Sequence, residues 1–292
     1  MAAQSVLCGL IGDGIDGSFS PALHEAEGHA QGMNYVYRLL DLERLHGAAA
    51  TVEGIIDLAR QWGFDGLNVT HPYKQQVMAY LDELSPDAAR LEAVNTVVFT
   101  GGRAVGHNTD WTGFGSSLGR ELPGASLDRV VQIGAGGAGV AVAYSALTRG
   151  AGHLTVTDVD LDRAEHCRDT MRKLFPGSVV DAVPASEIAG PLAEASGLIN
   201  ATPIGMVGFP GTPVPVELLR PDLWVADVVY RPIETPLIRA ARALGAPTLG
   251  GAGMNVFQAA DAFQLFTGVT PDFERMYAHV LALVDQQSRR AA

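Results

Sequence analysis

Apolar positions along this chain follow two rhythms. Short runs rich in Val, Ile and Leu alternate with longer stretches in which apolar residues return every three or four positions. The short runs predict buried strands and the longer ones helices. "VLCGLIG" (6–12) reads as a strand that runs into the glycine-rich loop "GDGIDGSFS" (12–20). "PALHEAEGHAQG" (21–32) follows as a helix, with Ser20 as its expected N-cap and Pro21 in its first turn. "YVYRLL" (35–40) is a second strand, "VEGIIDLARQWG" (52–63) a helix closed by Gly63, and "LNVT" (67–70) a third strand. "AVNTVVF" (93–99) and "AVGHN" (104–108), joined through "TGGR", predict a hairpin.

A second cycle starts at residues 129–158, "RVVQIGAGGAGVAVAYSALTRGAGHLTVTD". It continues through "GLINATPIGM" (197–206) and "LWVADVVY" (223–230) to "APTLGGAGMNVFQAADAFQLFTG" (246–268). Alternating strands and helices of this kind predict an α/β protein with largely parallel sheets. The change from one cycle to the other falls near 110–125, around "GRELPGASLD" (119–128). At 292 residues the chain suits two domains. We expect residues 1–112, completed by returning helices in 252–292, to form one domain and residues 113–251 the other.

Within the second cycle, "VVQIGAGGAG" sets Gly134, Gly136 and Gly139 in a G-x-G-x-x-G spacing, with Ala135, Gly137 and Ala138 between them. The pattern alone is weak. Here a β-branched strand precedes it, an Ala-rich helix follows, and a second strand ends at Asp158. That context is the one a dinucleotide-binding loop requires, with the helix N-terminus turned to a pyrophosphate. A carboxylate at Asp158 accepts hydrogen bonds from both adenosine ribose hydroxyls. A 2′-phosphate ~4 Å away would meet repulsion of ~4 kcal/mol per charge pair at an effective dielectric near 20. NAD is therefore the expected cofactor. Arg163, five residues on, flanks the ribose or adenine and is the one feature that favours NADP.

Composition narrows the partners. The formal charge is −12, with no Lys/Arg stripe, which argues against nucleic acid or an acidic membrane. No apolar run reaches 18 residues, and the N-terminus lacks a basic start and long apolar stretch. Cys8 and Cys167 match no metal or redox spacing, in keeping with a reducing cytoplasm. The histidines of "HEAEGH" (24–29) stand five apart and so face different sides of a helix; no metal site is expected.

Only two lysines occur, Lys74 and Lys173, against 18 arginines. An ammonium can lose its proton where a guanidinium effectively cannot, so Lys74 in "NVTHPYK" is a candidate for proton chemistry. Small polar groups gather at the strand ends of "GSFSP", "NVTHPYK", "AVNT" and "HNTD": Ser18, Ser20, Thr70, Asn95 and Asp110. Asn95 lies in an apolar strand, where an amide needs partners. Ser20 and Asp110 also have plain readings as helix caps. Together the set suits a small polyhydroxylated acid. A Lys/Asp pair can remove the proton of an alcohol while hydride leaves for a nicotinamide.

With "GSFSP", "GLNVTHPYK", "LEAVNTVV", "GHNTDWTGF", "IGAGGAG", "INATPIGM", "DVVY" and "GGAGMNVFQAADAFQLFTG" in this order, the chain resembles the shikimate dehydrogenases, above all their NAD-using quinate/shikimate branch. The resemblance implies a substrate domain followed by a Rossmann-type cofactor domain. It implies Lys74 and Asp110 as the catalytic pair, and Ser18, Ser20, Thr70, Asn95 and Gln258 as further substrate ligands. It implies the glycine loop, Asp158 and Arg163 as the NAD site, with Thr202, Val228 and Gly251 beside the nicotinamide. The implied reaction is reversible oxidation of the 3-hydroxyl of shikimate, quinate or both. Some quinate-active relatives carry Thr where this chain has Ser20, so the preference between the two stays open. An NADP-linked biosynthetic shikimate dehydrogenase, an aminoshikimate dehydrogenase and a non-catalytic sensor of the same fold are the alternatives. A homodimer is one assembly the resemblance allows.

Overall fold

The structure, a computed structural model, describes residues 3–291. The chain forms two compact units, one running through Thr109 and resuming at Gln258, the other spanning Asp110–Phe257.

The first unit is built on β1 (Ser5–Gly12), α1 (Ser20–Ala30), β2 (Asn34–Asp41), α2 (Val52–Gln61), β3 (Gly66–Val69), β4 (Glu83–Leu84), α3 (Pro86–Leu91), β5 (Thr96–Thr100) and β6 (Arg103–His107). Its sheet has the order β2-β1-β3-β5-β6-β4. β2, β1 and β3 run parallel, while β5 pairs antiparallel with both β3 and β6. The β5–β6 hairpin turns through Gly101 and Gly102, at φ +56° and +78°. A two-residue turn of that hand matches the strand twist, and glycine reaches it without a Cβ penalty. "VLCGLIG" reads as continuously apolar because both faces of β1 are covered. Ile11 packs with Ile56 and Leu67, and Val6, Cys8 and Leu10 pack with Tyr35 and Phe263.

The second unit opens with α4 (Asp110–Glu121) and continues through β7 (Arg129–Ile133), α5 (Gly137–Thr148), β8 (His153–Thr157), α6 (Leu161–Leu174), β9 (Val179–Ala182), α7 (Ala189–Glu194), β10 (Gly197–Asn200), β11 (Trp224–Asp227), α8 (Pro236–Ala243) and β12 (Thr248–Leu249). Its strands lie in the order β12-β11-β10-β7-β8-β9, all parallel. In sequence terms that is 6-5-4-1-2-3, the doubly wound Rossmann order, whose direction reverses between β7 and β10. Leu192, Leu198, Leu223, Leu237 and Ile238 close one core beneath this sheet. The chain returns through α9 (Gly251–Thr267) and ends in α10 (Phe273–Ala291).

Ser20 departs from its expected capping role. α1 begins at Ser20 itself, and Phe19 occupies the cap position without a side-chain cap bond. The Ser20 hydroxyl instead accepts a hydrogen bond from Ser18 at 3.1 Å.

Glu27 of α1 fastens α10. Its buried carboxylate accepts two hydrogen bonds from Arg275, at 2.7 Å each, and further ones from the Asp272 N–H and from Gln31 at 2.9 Å. Burial pushes this carboxyl up, and the donors from Arg275, Asp272 and Gln31 together hold it below the usual range. The "HEAEGH" segment thus turns Glu27 and His24 inward as packing groups. No metal-binding cluster occurs among the described residues, and none of their helices is long and apolar enough to cross a membrane.

Removing the guanidinium strands a buried carboxylate. Arg275 is 41% exposed, so part of that loss is made good by water. Arg275→Ala is expected to lower unfolding stability by about 2 kcal/mol, below the cost of breaking a fully buried pair. Urea denaturation at pH 7 checks this; an unchanged midpoint would show that α10 is held by its apolar face alone.

Candidate functional site

In the first unit, polar side chains collect at the C-terminal ends of β1 and β3 and at the start of β5. The loop after β1 is pinned by Asp41, at the end of β2, which accepts the N–H groups of Gly14 and Ile15 at 3.3 Å each. This brings Ser18 and Ser20 together: the Ser18 hydroxyl donates to Ser20 Oγ at 3.1 Å. The loop after β3 starts with Thr70, whose N–H bonds the Ile11 carbonyl at 2.9 Å. Four residues on, the Lys74 carbonyl accepts the Val94 N–H at 2.8 Å, which ties that loop to the segment holding Asn95.

Asn95 is buried and stands just before β5 rather than within it. Its Oδ1 accepts the Thr109 N–H at 2.8 Å and the Thr96 hydroxyl at 3.0 Å, and its Nδ2 donates to Thr109 Oγ1 at 3.0 Å. The Thr109 hydroxyl in turn donates to the Gln258 carbonyl at 3.0 Å. Ser18, Ser20, Thr70, Lys74, Asn95 and Gln258 therefore belong to one unit, linked by loops that these bonds hold. Asp110, the residue after Thr109, is buried and opens α4 of the other unit.

In the second unit the glycine loop connects β7 to α5 at the point where strand order reverses. Gly134 has φ +98°, and a Cβ there would meet the Ala201 carbonyl at 2.7 Å. A Cβ on Gly139 would collide with the Gly134 carbonyl, so helix and loop touch backbone to backbone. Gly136 differs: open space lies above it, and it starts α5 with no side-chain cap. Gly137 and Ala138 form the first turn of that helix, whose N–H groups suit an anion. Asp158 follows β8 directly. One of its oxygens accepts the Ala135 N–H at 2.8 Å, the other the Asp160 N–H at 3.0 Å. Arg163, in the first turn of α6, is largely exposed and pairs with Asp160 at 3.3 Å. An open, uncapped glycine cradle with a carboxylate tied to its rim fits the diphosphate and ribose of a nicotinamide dinucleotide.

Thr202, Val228 and Gly251 sit on neighbouring strand ends. The Thr202 hydroxyl donates to Asn200 Oδ1 at 2.7 Å, and the Val228 N–H bonds the Asn200 carbonyl at 3.0 Å. A Cβ on Gly251 would collide with the Val228 carbonyl, so these two backbones are in direct contact.

Comparison with known proteins identifies the family. The family model for the shikimate dehydrogenase substrate binding domain matches residues 10–97, and that for the shikimate 5'-dehydrogenase C-terminal domain matches residues 251–281. A shikimate dehydrogenase (NADP(+)) of Streptomyces avermitilis is 55% identical over 283 residues, 97% of each chain. The chain belongs to the shikimate dehydrogenase family. A quinate/shikimate dehydrogenase (NAD(+)) of Corynebacterium glutamicum is 50% identical, over 96% of this chain and 99% of that one. Among solved structures, quinate dehydrogenase from Corynebacterium glutamicum in complex with NAD superposes with a TM-score of 0.92 at 49% identity, covering 96% of this chain and 99% of the other. The cofactor class of this shikimate dehydrogenase family member is thus a nicotinamide dinucleotide.

Several residues of this family member with a bearing on the sites escaped the sequence reading. Tyr37, Asn68, Thr96 and Thr109 form the buried bonds behind Asn95. Gln132 of β7 donates to the carbonyls of Gly134 and Gly139, at 2.9 and 2.8 Å, and so braces the glycine loop. Asp227, at the end of β11, accepts from Thr235 at 2.6 Å, Asn200 at 2.9 Å and the Val229 N–H at 3.0 Å. The available signal was a polar residue inside an otherwise apolar strand.

Burial pushes the Asp227 carboxyl up to about 6, against the bonds from Thr235, Val229 and Asn200 that favour its charge. In the unfolded chain an aspartate titrates near 4. Between about pH 4 and 6 the native state holds a proton that the unfolded state has lost, so stability falls as pH rises through that window. The contribution amounts to about 3 kcal/mol over two pKa units. Asp227→Asn is expected to lose that fall. Urea midpoints of both proteins at pH 4.5 and 7 test it: the gap between them should change with pH, and parallel behaviour would contradict it.

Proposed function

We propose that this protein oxidises the 3-hydroxyl of shikimate, quinate or both, reversibly, with NAD rather than NADP. The observation that carries the NAD assignment is Asp158, a carboxylate held by the Ala135 N–H on the rim of the glycine loop. Fixed there, it accepts the two ribose hydroxyls and repels a 2′-phosphate by ~4 kcal/mol per charge pair at ~4 Å. Gly134, Ala135, Gly136, Gly137, Ala138 and Gly139 would hold the diphosphate, with Arg163 alongside the ribose or adenine. Thr202, Val228 and Gly251 would line the nicotinamide end. When bound, NAD supplies the hydride acceptor.

The protein's own part is substrate orientation and proton transfer. Ser18, Ser20, Thr70, Asn95 and Gln258 would hold the carboxylate and ring hydroxyls. Lys74 and Asp110 would take the proton from the reacting hydroxyl, the ammonium form of Lys74 stabilising the developing alkoxide and Asp110 orienting it. A lysine serves here where arginine would not, since the role needs a group that can give up a proton. The NADP reading is supported by Arg163 and by relatives such as the shikimate dehydrogenase (NADP(+)) of Streptomyces avermitilis, and it differs only at the ribose.

Two variants test the proposal. Lys74→Ala is expected to keep NAD affinity while kcat falls by about 10³-fold; a kcat like that of the wild type would remove Lys74 from the chemistry. Asp158→Ala is expected to move the ratio of kcat/KM with NAD to that with NADP toward NADP by about 100-fold. An unmoved ratio would show that Asp158 does not read the ribose.

A further inference from the structure

We propose that Asp227, buried at the end of β11, is a positioning residue that holds the nicotinamide end of the cofactor site in shape through Asn200 of β10. The inference rests on the reading of Thr202 and Val228 as the wall beside the nicotinamide.

Topology gives the place. The glycine loop leaves β7, and Asp158, read as the ribose carboxylate, follows β8 on one side of it. The other half of a dinucleotide then lies over the ends of β10 and β11, across the point where strand order reverses. Asn200 is the last residue of β10 and Asp227 the last of β11, its partner in register. Both are buried.

Hydrogen-bond polarity fixes how the two side chains meet. Asn200 Oδ1 accepts the Thr202 N–H at 3.1 Å, a group that can only donate. Asn200 Nδ2 faces the Ile204 carbonyl at 3.0 Å, a group that can only accept. Backbone at both ends therefore settles the orientation of the amide. Its second Nδ2 proton goes to Asp227 Oδ1 at 2.9 Å. The Val229 N–H shares that oxygen at 3.0 Å, and the Thr235 hydroxyl donates to Oδ2 at 2.6 Å. Thr235 is itself fixed, as the cap of α8, by the Ile238 N–H at 3.2 Å. Three donors thus converge on Asp227 from the end of β10, the chain after β11 and the start of α8. A carboxylate accepts on every side and satisfies them all, which an amide does not.

The grip reaches the nicotinamide side by two routes. Along one, Asp227 holds the Asn200 amide, whose oxygen takes the N–H and also the hydroxyl of Thr202, the latter at 2.7 Å. Thr202 Oγ1 in turn accepts the Ile204 N–H at 3.1 Å and closes the turn after β10. Along the other, Asp227 takes the Val229 N–H, and the Asn200 carbonyl takes the Val228 N–H at 3.0 Å. These bonds set the path of the chain after β11, against which Gly251 packs with no room for a Cβ. Thr202 and Val228, at the ends of different strands, are thereby tied to one carboxylate.

Burial takes this carboxyl up to about 6, so it is ionised at pH 8. At that pH the dissociation constants of NAD, NADH and ADP-ribose, read by isothermal titration calorimetry, separate positioning from general scaffolding, because ADP-ribose lacks the nicotinamide. Asp227→Ala leaves three donors unmet and is expected to weaken NAD about 10-fold, with ADP-ribose changed less than about 2-fold. Asp227→Asn keeps an oxygen for Asn200 and Val229 and turns its NH2 to the Thr235 hydroxyl. A neutral oxygen accepts more weakly than a carboxylate, so NAD is expected to weaken about 3-fold, again with ADP-ribose unchanged. NADH, whose nicotinamide ring is uncharged, is expected to lose as much as NAD in each variant. Should Asp227→Ala fail to fold, as circular dichroism would show, Asp227→Asn decides. NAD affinity unchanged in Asp227→Asn, a loss as large for ADP-ribose as for NAD in a folded variant, or a loss confined to NAD and absent for NADH would overturn the inference. A wild-type protein that binds neither NAD nor ADP-ribose would remove the cofactor reading instead. If NADP binds in place of NAD, NADP and 2′-phospho-ADP-ribose supply the same comparison.

Discussion

A side-chain oxygen drawn wholly or partly out of water at the end of a strand must find donors, and in both units it finds backbone N–H groups of nearby loops. Asp41 takes those of Gly14 and Ile15, Asn95 that of Thr109, Asp158 those of Ala135 and Asp160, Asn200 that of Thr202, and Asp227 that of Val229. Strand ends are where an α/β fold places its ligands, so their loops have to be held without regular secondary structure. Short Asp and Asn side chains do this with little entropy to lose. The same device sets both the polar cluster of the first unit and the glycine loop of the second.

Asp158 shows how one group serves two ends. Its two bonds to backbone N–H groups fasten the glycine loop to the end of β8. A carboxylate oxygen accepts more than one hydrogen bond, so the same group still has capacity for ribose hydroxyls. On the proposed reading, cofactor discrimination and loop geometry are properties of a single residue. Gln132 works on the same loop from below, donating to the carbonyls of its first and third glycines. A loop braced at its carbonyls and at the Ala135 N–H stays shaped before any diphosphate arrives, which lowers the ordering cost of binding.

Much of this was legible in the sequence, where the signals were local. The glycine spacing, the strand before it and Asp158 after it lie within 30 residues and state one supersecondary unit. The "TGGR" hairpin was equally local. Residues 76–91 were not: a 3-10 turn, the two-residue β4 and the six-residue α3 are too short to show a period. Ser20 misled for a related reason. Ser-Pro before an apolar stretch is a sound capping signal, but the helix begins at Ser20 itself and the hydroxyl accepts from Ser18. Tyr37, Asn68 and Thr96 escaped because their partners are distant in sequence, 31 residues for Tyr37 and Asn68. The rule applied to Asn95, that an amide among apolar neighbours needs partners, would have found Asn68 and Gln132 as well.

The claim that matters most is that a carboxylate on the rim of the glycine cradle selects the cofactor. Initial rates of the wild-type protein with shikimate and with quinate, each with NAD and with NADP at matched concentrations, measure it directly. The account predicts a kcat/KM with NAD at least about 100-fold above that with NADP for whichever acid is oxidised. Equal rates, or faster oxidation with NADP, would contradict it.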